Sequence, residues 1–188
     1  MQRPLGLIGR RTTMTRLSHL ARRFFGSLRP GGPSAAEQEW AESQLLPGEQ
    51  NIWRSLSGPD RRHSAAVARR VEVILGPAAS RPVLAAALLH DCGKVDSGLR
   101  TPGRVVATVL AMTVVKTAAD VERWSRSDSS WKRTVGRYRS HPEIGAQLLA
   151  AVDSDVITVT WTREHHMPPT AWTIDPIISN ALHEADDD

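Results

Sequence analysis

The sequence predicts an all-α domain, and three observations carry the prediction. Apolar residues recur every three or four positions along much of the chain, the spacing of helices that bury one face. Helix-start signals precede those stretches at Ser34-Ala-Ala-Glu37, Asp60, Ser80, Thr101-Pro102, Ser140-His-Pro-Glu143 and Asp175-Pro176. There is no internal repeat, and no alternation of strand-like and helix-like segments of the kind that builds a parallel sheet. With 188 residues, 40% of them hydrophobic, the chain can fill the core of one domain.

Residues 1–33 read as a basic extension and linker. Leu17, Leu20, Phe24 and Leu28 fall at helical spacing with Arg16, Arg22 and Arg23 interleaved, and Arg29-Pro-Gly-Gly-Pro33 breaks the pattern. Two readings stand for this stretch: an anchor for a membrane surface or a protein partner, or a loosely ordered tail, lengthened if Met14 is the true start. The segment holds seven arginines and no acid, so +4 for the chain minus +7 leaves −3 for residues 34–188. A domain of that balance is not a general nucleic-acid-binding surface.

Residues 34–188 read as the domain itself, with lead-in helices over 34–58 and a core over 60–188. The Ser34 box starts the first helix, and a second short one covers Gln50–Leu56. Asp60 caps a helix over Arg61–Leu75 that Gly76 ends. Ser80 opens the next, with Leu84, Ala87, Leu88 and Asp91 on one face and Gly93 breaking it. Thr101-Pro102 begins a helix through Val105–Lys116, whose apolar run to Val115 is too short to cross a bilayer. A second capping box at Ser140 opens Ile144–Val152. Asp155–His166 stays open between helix and strand, because Val156, Ile157, Thr158, Val159 and Thr160 also suit a strand. The last helix aligns Ile178, Leu182 and Asp186 at i, i+4, i+8. Cys92 is the one cysteine, which excludes an internal disulfide and suits a reducing cytoplasm; it reads as a small, half-buried filler. No secretory signal is visible, so the expected location is cytoplasmic, and membrane-peripheral if the extension anchors.

The chemistry concentrates in histidine and aspartate. His90 and Asp91 stand side by side in Leu-Leu-His90-Asp91-Cys-Gly-Lys94, and only His19 and His183 of the seven histidines fall outside a set completed by His63, His141, His165 and His166. An imidazole nitrogen and a carboxylate oxygen are ligand types that borderline divalent metals accept. Periodicity adds direction. His63 lies on the stripe of Val67, Arg70/Val71 and Ile74, His141 on that of Gly145, Leu148, Leu149 and Val152, and Asp186 on that of Ile178 and Leu182. Polar groups aimed into apolar faces are costly to bury unless something satisfies them, and one shared metal site satisfies them together. Taken singly, each has a plainer reading: a hydrogen-bonded core histidine, a solvated acidic end, a histidine pair closing a helix C-terminus.

These pieces resemble the HD-domain superfamily of metal-dependent phosphohydrolases. The matching elements are Asp-Arg-Arg-His63-Ser, Ala-Leu-Leu-His90-Asp91-Cys-Gly-Lys94, His141-Pro-Glu-Ile-Gly145, Arg-Glu-His165-His166 and Ala-Leu-His-Glu-Ala-Asp186, in the family's order over roughly residues 60–188. The resemblance implies a helical bundle in which His63, His90, Asp91 and Asp186 hold one metal. His141 with His165 or His166 would then be the added ligands of two-metal members, with Asp91 bridging. The branch that cleaves cyclic dinucleotides follows its paired histidines with an acid and a Gly-Tyr-Pro stretch. Here the chain reads His165-His166-Met167-Pro168-Pro169-Thr170-Ala-Trp172, which removes the basis for naming that substrate.

One or two divalent ions (Mn, Fe, Ni, Co, Mg or Zn) are therefore expected, lowering the pKa of bound water toward about 7 for attack on a phosphoester. Asp91 and Lys94 are the expected catalytic residues, Lys94 holding a phosphate oxygen. Arg137 and Arg139, at the end of a basic and aromatic run from Arg123 that includes Arg126, Lys132 and Arg133, are expected to bind substrate. The plainer reading of that run is a solvated helix face. The substrate expected is a small-molecule phosphoester. Two alternatives rest on the same residues: a catalytically silent module that binds nucleotide or metal for regulation, and a di-iron oxygenase.

Overall fold

Capping chemistry sets most of the helix boundaries. A computed structural model describes residues 31–97, 118–129, 132–133 and 140–187, and among the described residues the chain forms eight α-helices and no strand. The amphipathic stretch Leu17–Leu28, the helix expected through Val105–Lys116, and Arg137 and Arg139 lie outside these residues. No helix among the described residues is long and apolar enough to cross a membrane.

Helix α1 (Ala35–Ser43) opens on the expected capping box, with Glu37 N–H donating to Ser34 Oγ and Ser34 N–H to Glu37 Oε2. Helix α2 (Pro47–Ser55) starts three residues before the expected Gln50. Pro47 lacks the N–H that a first turn would leave unused, and the Glu49 carboxylate accepts the Leu46 N–H. Helix α3 (Gly58–Leu75) corrects the assignment of Asp60 as its cap. Ser57 is the N-cap, accepting from Asp60 N–H while its hydroxyl donates to Asp60 Oδ2 at 2.6 Å. Gly76 ends the helix at φ +52°, a conformation that costs glycine little.

Helix α4 (Arg81–Leu89) is the centre of the bundle. Every residue from Val83 to Leu89 is buried, as expected of a helix that is apolar all round. It packs against α2, α3 and α7 (Val156–Glu164). The helix stops one residue before the His-Asp pair rather than after it. His90 is its C-cap, and a 3₁₀ turn follows over Cys92–Ser97. Helix α5 spans Ala118–Ser125, and α6 (His141–Ala150) packs on α7 and on that 3₁₀ turn. The capping box expected at Ser140 does not form: its backbone sits at φ −86°, ψ 0°, and its side chain makes no capping bond. Helix α8 (Pro176–Asp187) packs on α3, with Asp175 Oδ1 accepting from Ile177 and Ile178 N–H.

The Val156–Thr160 segment resolves as helix. Thr158, Trp161, Thr162 and His165, at i, i+3, i+4 and i+7, form its buried stripe, while Val156 is 82% exposed. Packing of that stripe against α4 and α6 outweighs the β-branched preference for a strand. Two stripe assignments are narrower than expected. Ile74 and Leu148 are 43% and 39% exposed, so the inward faces run His63–Val67–Val71 and His141–Gly145–Leu149. Cys92 is fully buried rather than half-buried.

Candidate metal centre

The site begins at a backbone junction. A Cβ on Gly93 would overlap the His141 carbonyl oxygen and lie 2.6 Å from the Gly145 nitrogen. On the opposite side, a Cβ on Gly145 would lie 2.8 Å from Thr162 Cγ2 and 3.1 Å from both Cys92 Sγ and Gly93 N. The glycines of the His-Asp-x-Gly and His-Pro-x-x-Gly elements are thus each other's contact. Their bare backbones let the turn after α4 approach the first turn of α6 closely enough to set Asp91 beside His141.

Two histidines are aimed by the ends of their own helices. His90 is the C-cap of α4 and His165 that of α7. Their Nδ1 atoms lie 2.9 Å from the carbonyl oxygens of Ala87 and Thr162, three residues earlier in each case. Carbonyls in a last helical turn lack helical partners, and a carbonyl only accepts, so each Nδ1 carries the proton. In the neutral ring that leaves an Nε2 lone pair, fixed in direction, facing Asp91.

Asp91 is the hub. Its Oδ1 is 3.3 Å from His141 Nε2 and 3.5 Å from His165 Nε2, and its Oδ2 is 3.4 Å from His90 Nε2 and paired with Lys94 Nζ. Beyond His90, Asp186 Oδ1 stands 3.7 Å from His90 Nε2 and 3.0 Å from His63 Nε2. The His166 ring lies 4.0 Å from that of His165 and 5.1 Å from that of His141, centroid to centroid. The donors fall into two groups: Asp91, His141, His165 and His166, and His63, His90 and Asp186, with Asp91 Oδ2 turned toward the second.

The electrostatics of the two groups suit a cation. Burial raises the cost of ionising Asp91, yet the charges of Lys94 and His90 outweigh it and hold its pKa well below the ordinary range. Burial pushes His141 down to about 4, against the pull of Asp91, and lowers His165 in the same way. His166 moves in the same direction through burial and the neighbouring His165 and His141, although part of the residue is open to solvent. Burial also opposes charge on His90, but Asp91 and Asp186 reverse the balance and raise it. At neutral pH the ionised Asp91 carboxylate therefore faces neutral imidazoles at His141 and His165. Among the described residues, His90 Nε2, Asp91 Oδ1 and His165 Nε2 are buried without a properly directed hydrogen bond. Between Asp91 Oδ1 and His165 Nε2 acceptor faces acceptor, which is unfavourable until something positive stands between them.

The spacing matches that requirement. Two donors about 2.1 Å from one ion are about 3.0 Å apart at right angles and about 3.4 Å apart at tetrahedral angles. The nitrogen–oxygen separations here run from 3.0 to 3.7 Å. Five imidazoles against two carboxylates suit zinc, iron, nickel or cobalt better than magnesium.

Every residue expected as a metal ligand, His63, His90, Asp91, His141, His165, His166 and Asp186, reaches one of the two groups, and both members of the His165-His166 pair take part. Lys94 is half-buried on Asp91 rather than free above it. Of the basic run, Arg123 pairs with Asp120, Arg126 with Glu122, and Arg133 donates to the Ser127 and Asp128 carbonyls, which is the solvated-face reading for these members. Two supports went unrecognised in the sequence. Glu164, buried just before the pair, accepts Thr173 N–H and Thr173 Oγ–H at 2.7 Å each and ties down the loop that follows His166. Arg70 lies on the His63 stripe with its Nε on the Ala185 carbonyl. A buried acid beside a histidine pair was a signal for the first; nothing short of tertiary contact signals the second. Comparison with protein-family models, curated proteins and solved structures finds no match to this chain.

Proposed function

We propose that this chain is an HD-type metal-dependent phosphohydrolase that cleaves a phosphomonoester or phosphodiester, nucleotide-type by its family resemblance, at a two-ion centre. The observation that carries the reading is the meeting of donors from the turn after α4, α6 and α7 around Asp91, and of donors from α3 and α8 beside His90, at separations suited to shared ligation. A pair of divalent ions, when bound, supplies an acidified water and a Lewis acid for phosphoryl oxygens. His90 and His165, each locked through Nδ1, keep their Nε2 atoms in place without reorganisation. Asp91 offers one oxygen to each donor group. Lys94, beside Asp91, is the cationic group placed to hold a phosphate oxygen once Asp91 is engaged elsewhere.

The test uses the full chain with added Mn²⁺ and bis(p-nitrophenyl) phosphate. Release of nitrophenolate by wild-type protein, lost in Asp91→Ala together with bound metal, is the expected result. Activity surviving Asp91→Ala, or metal uptake with no turnover across a panel of phosphoesters, would defeat the proposal, the second result favouring a silent binding module. Turnover that requires dioxygen would favour the di-iron alternative.

A further inference from the structure

The donor side chains are steadied in different ways, and the difference singles out Arg70. His90 and His165 are held by carbonyls of their own helices. Asp186 enters from α8, and the residue before it, Ala185, accepts a 2.7 Å hydrogen bond from Arg70 Nε on α3. Ala185 is fully buried and its carbonyl lies in the last turn of α8, where helical N–H donors run out. A carbonyl oxygen shares one rigid peptide plane with the next Cα, so a bond to Ala185 O fixes the plane that leads into Asp186. A guanidinium there also meets the negative end of the helix dipole.

Arg70 follows His63 by two helical turns on the same face of α3. Long helical side chains lean toward their N-terminus, which here is the His63 end. One rigid helix therefore grips α8 twice, through Arg70 on Ala185 and through His63 Nε2 on Asp186 Oδ1 at 3.0 Å. We infer that Arg70 is the positioning residue of the His63, His90 and Asp186 half of the centre: by holding the Ala185 carbonyl it sets where the Asp186 carboxylate stands, and so how tightly that half binds an ion. This rests on the two-ion reading above.

The experiment strips the full chain of metal by chelation and titrates it with Co²⁺, following bound cobalt by equilibrium dialysis and its visible absorption bands. Wild-type protein should take up two ions. Arg70→Met keeps the aliphatic stem and loses the donor and the charge. It should bind one ion as wild type does, in the Asp91, His141, His165 and His166 group, and the other about 10- to 100-fold more weakly. Arg70→Lys, which keeps a cationic donor, should recover most of that loss. Two ions bound to Arg70→Met with wild-type affinity overturn the inference, even if its Tm falls, because Arg70 then only fastens α8 to α3. Equal loss of both ions, or no recovery in Arg70→Lys, overturns it as well. Wild-type protein that takes up fewer than two ions would instead sink the functional reading, before any variant is tested.

Discussion

Replacing Gly93 by alanine adds one methyl group at the junction on which the centre depends. That methyl would overlap the His141 carbonyl and stand 2.6 Å from Gly145 N, where ordinary contact begins near 3.4 Å. Both obstacles are backbone, so no rotamer change relieves them, and the turn must withdraw from α6 by about 1 Å. Overpacking of this kind costs about 3 kcal/mol, which for a chain of this size lowers Tm by roughly 6–12 °C. Asp91 sits two residues before Gly93 and moves with it, so its 3.3 Å separation from His141 Nε2 opens beyond what one ion can span. Metal affinity should fall about tenfold or more. Thermal unfolding in chelator isolates the packing cost from metal linkage, and a Co²⁺ titration reads the second effect. Gly145→Ala should be milder, because its nearest obstacle is the Thr162 methyl, a side-chain group. A Gly93→Ala protein with wild-type Tm and wild-type cobalt affinity would refute the account of the junction.

Other outcomes follow from the same geometry. His165→Ala should cost more metal affinity than His166→Ala, by about tenfold, since His165 is buried with Nδ1 locked on Thr162 O while His166 is the most exposed donor of its group; equal losses in dialysis would count against that ranking. Cys92, fully buried and pushed up to about 12 by burial and by Asp91, should resist iodoacetamide at pH 8 in the native state and react only at the rate of unfolding. Rapid alkylation without denaturant would contradict its placement under Gly145.

Much of the architecture was legible because local signals agreed with one another. The Ser34 box, the Gly76 stop and the Asp175-Pro176 start each act within a few residues of backbone, and each boundary stands where that chemistry puts it. Boundaries and element types were ambiguous where two local signals competed. Ser57 and Asp60 are both capping residues three positions apart, and the structure uses the first, with Asp60 as its partner in the first turn. The Val156–Thr160 run carried opposite messages from β-branching and from helical spacing, and burial of Thr158, Trp161, Thr162 and His165 decided between them. At Ser140 the capping pattern was present but its geometry is not taken up.

By itself the sequence determined the helical class and the identity of the candidate metal donors, because helix periodicity and ligand chemistry are properties of residue type and short spacing. What only the tertiary structure decided is how those donors meet. The partition into two groups around Asp91, the Nδ1 locks on Ala87 and Thr162, the contact of Gly93 with Gly145, and the reach of Arg70 to Ala185 all join segments far apart in the chain. Such contacts depend on how helices cross and how closely their backbones approach, and those quantities are set by packing of the whole core rather than by any local run of residues.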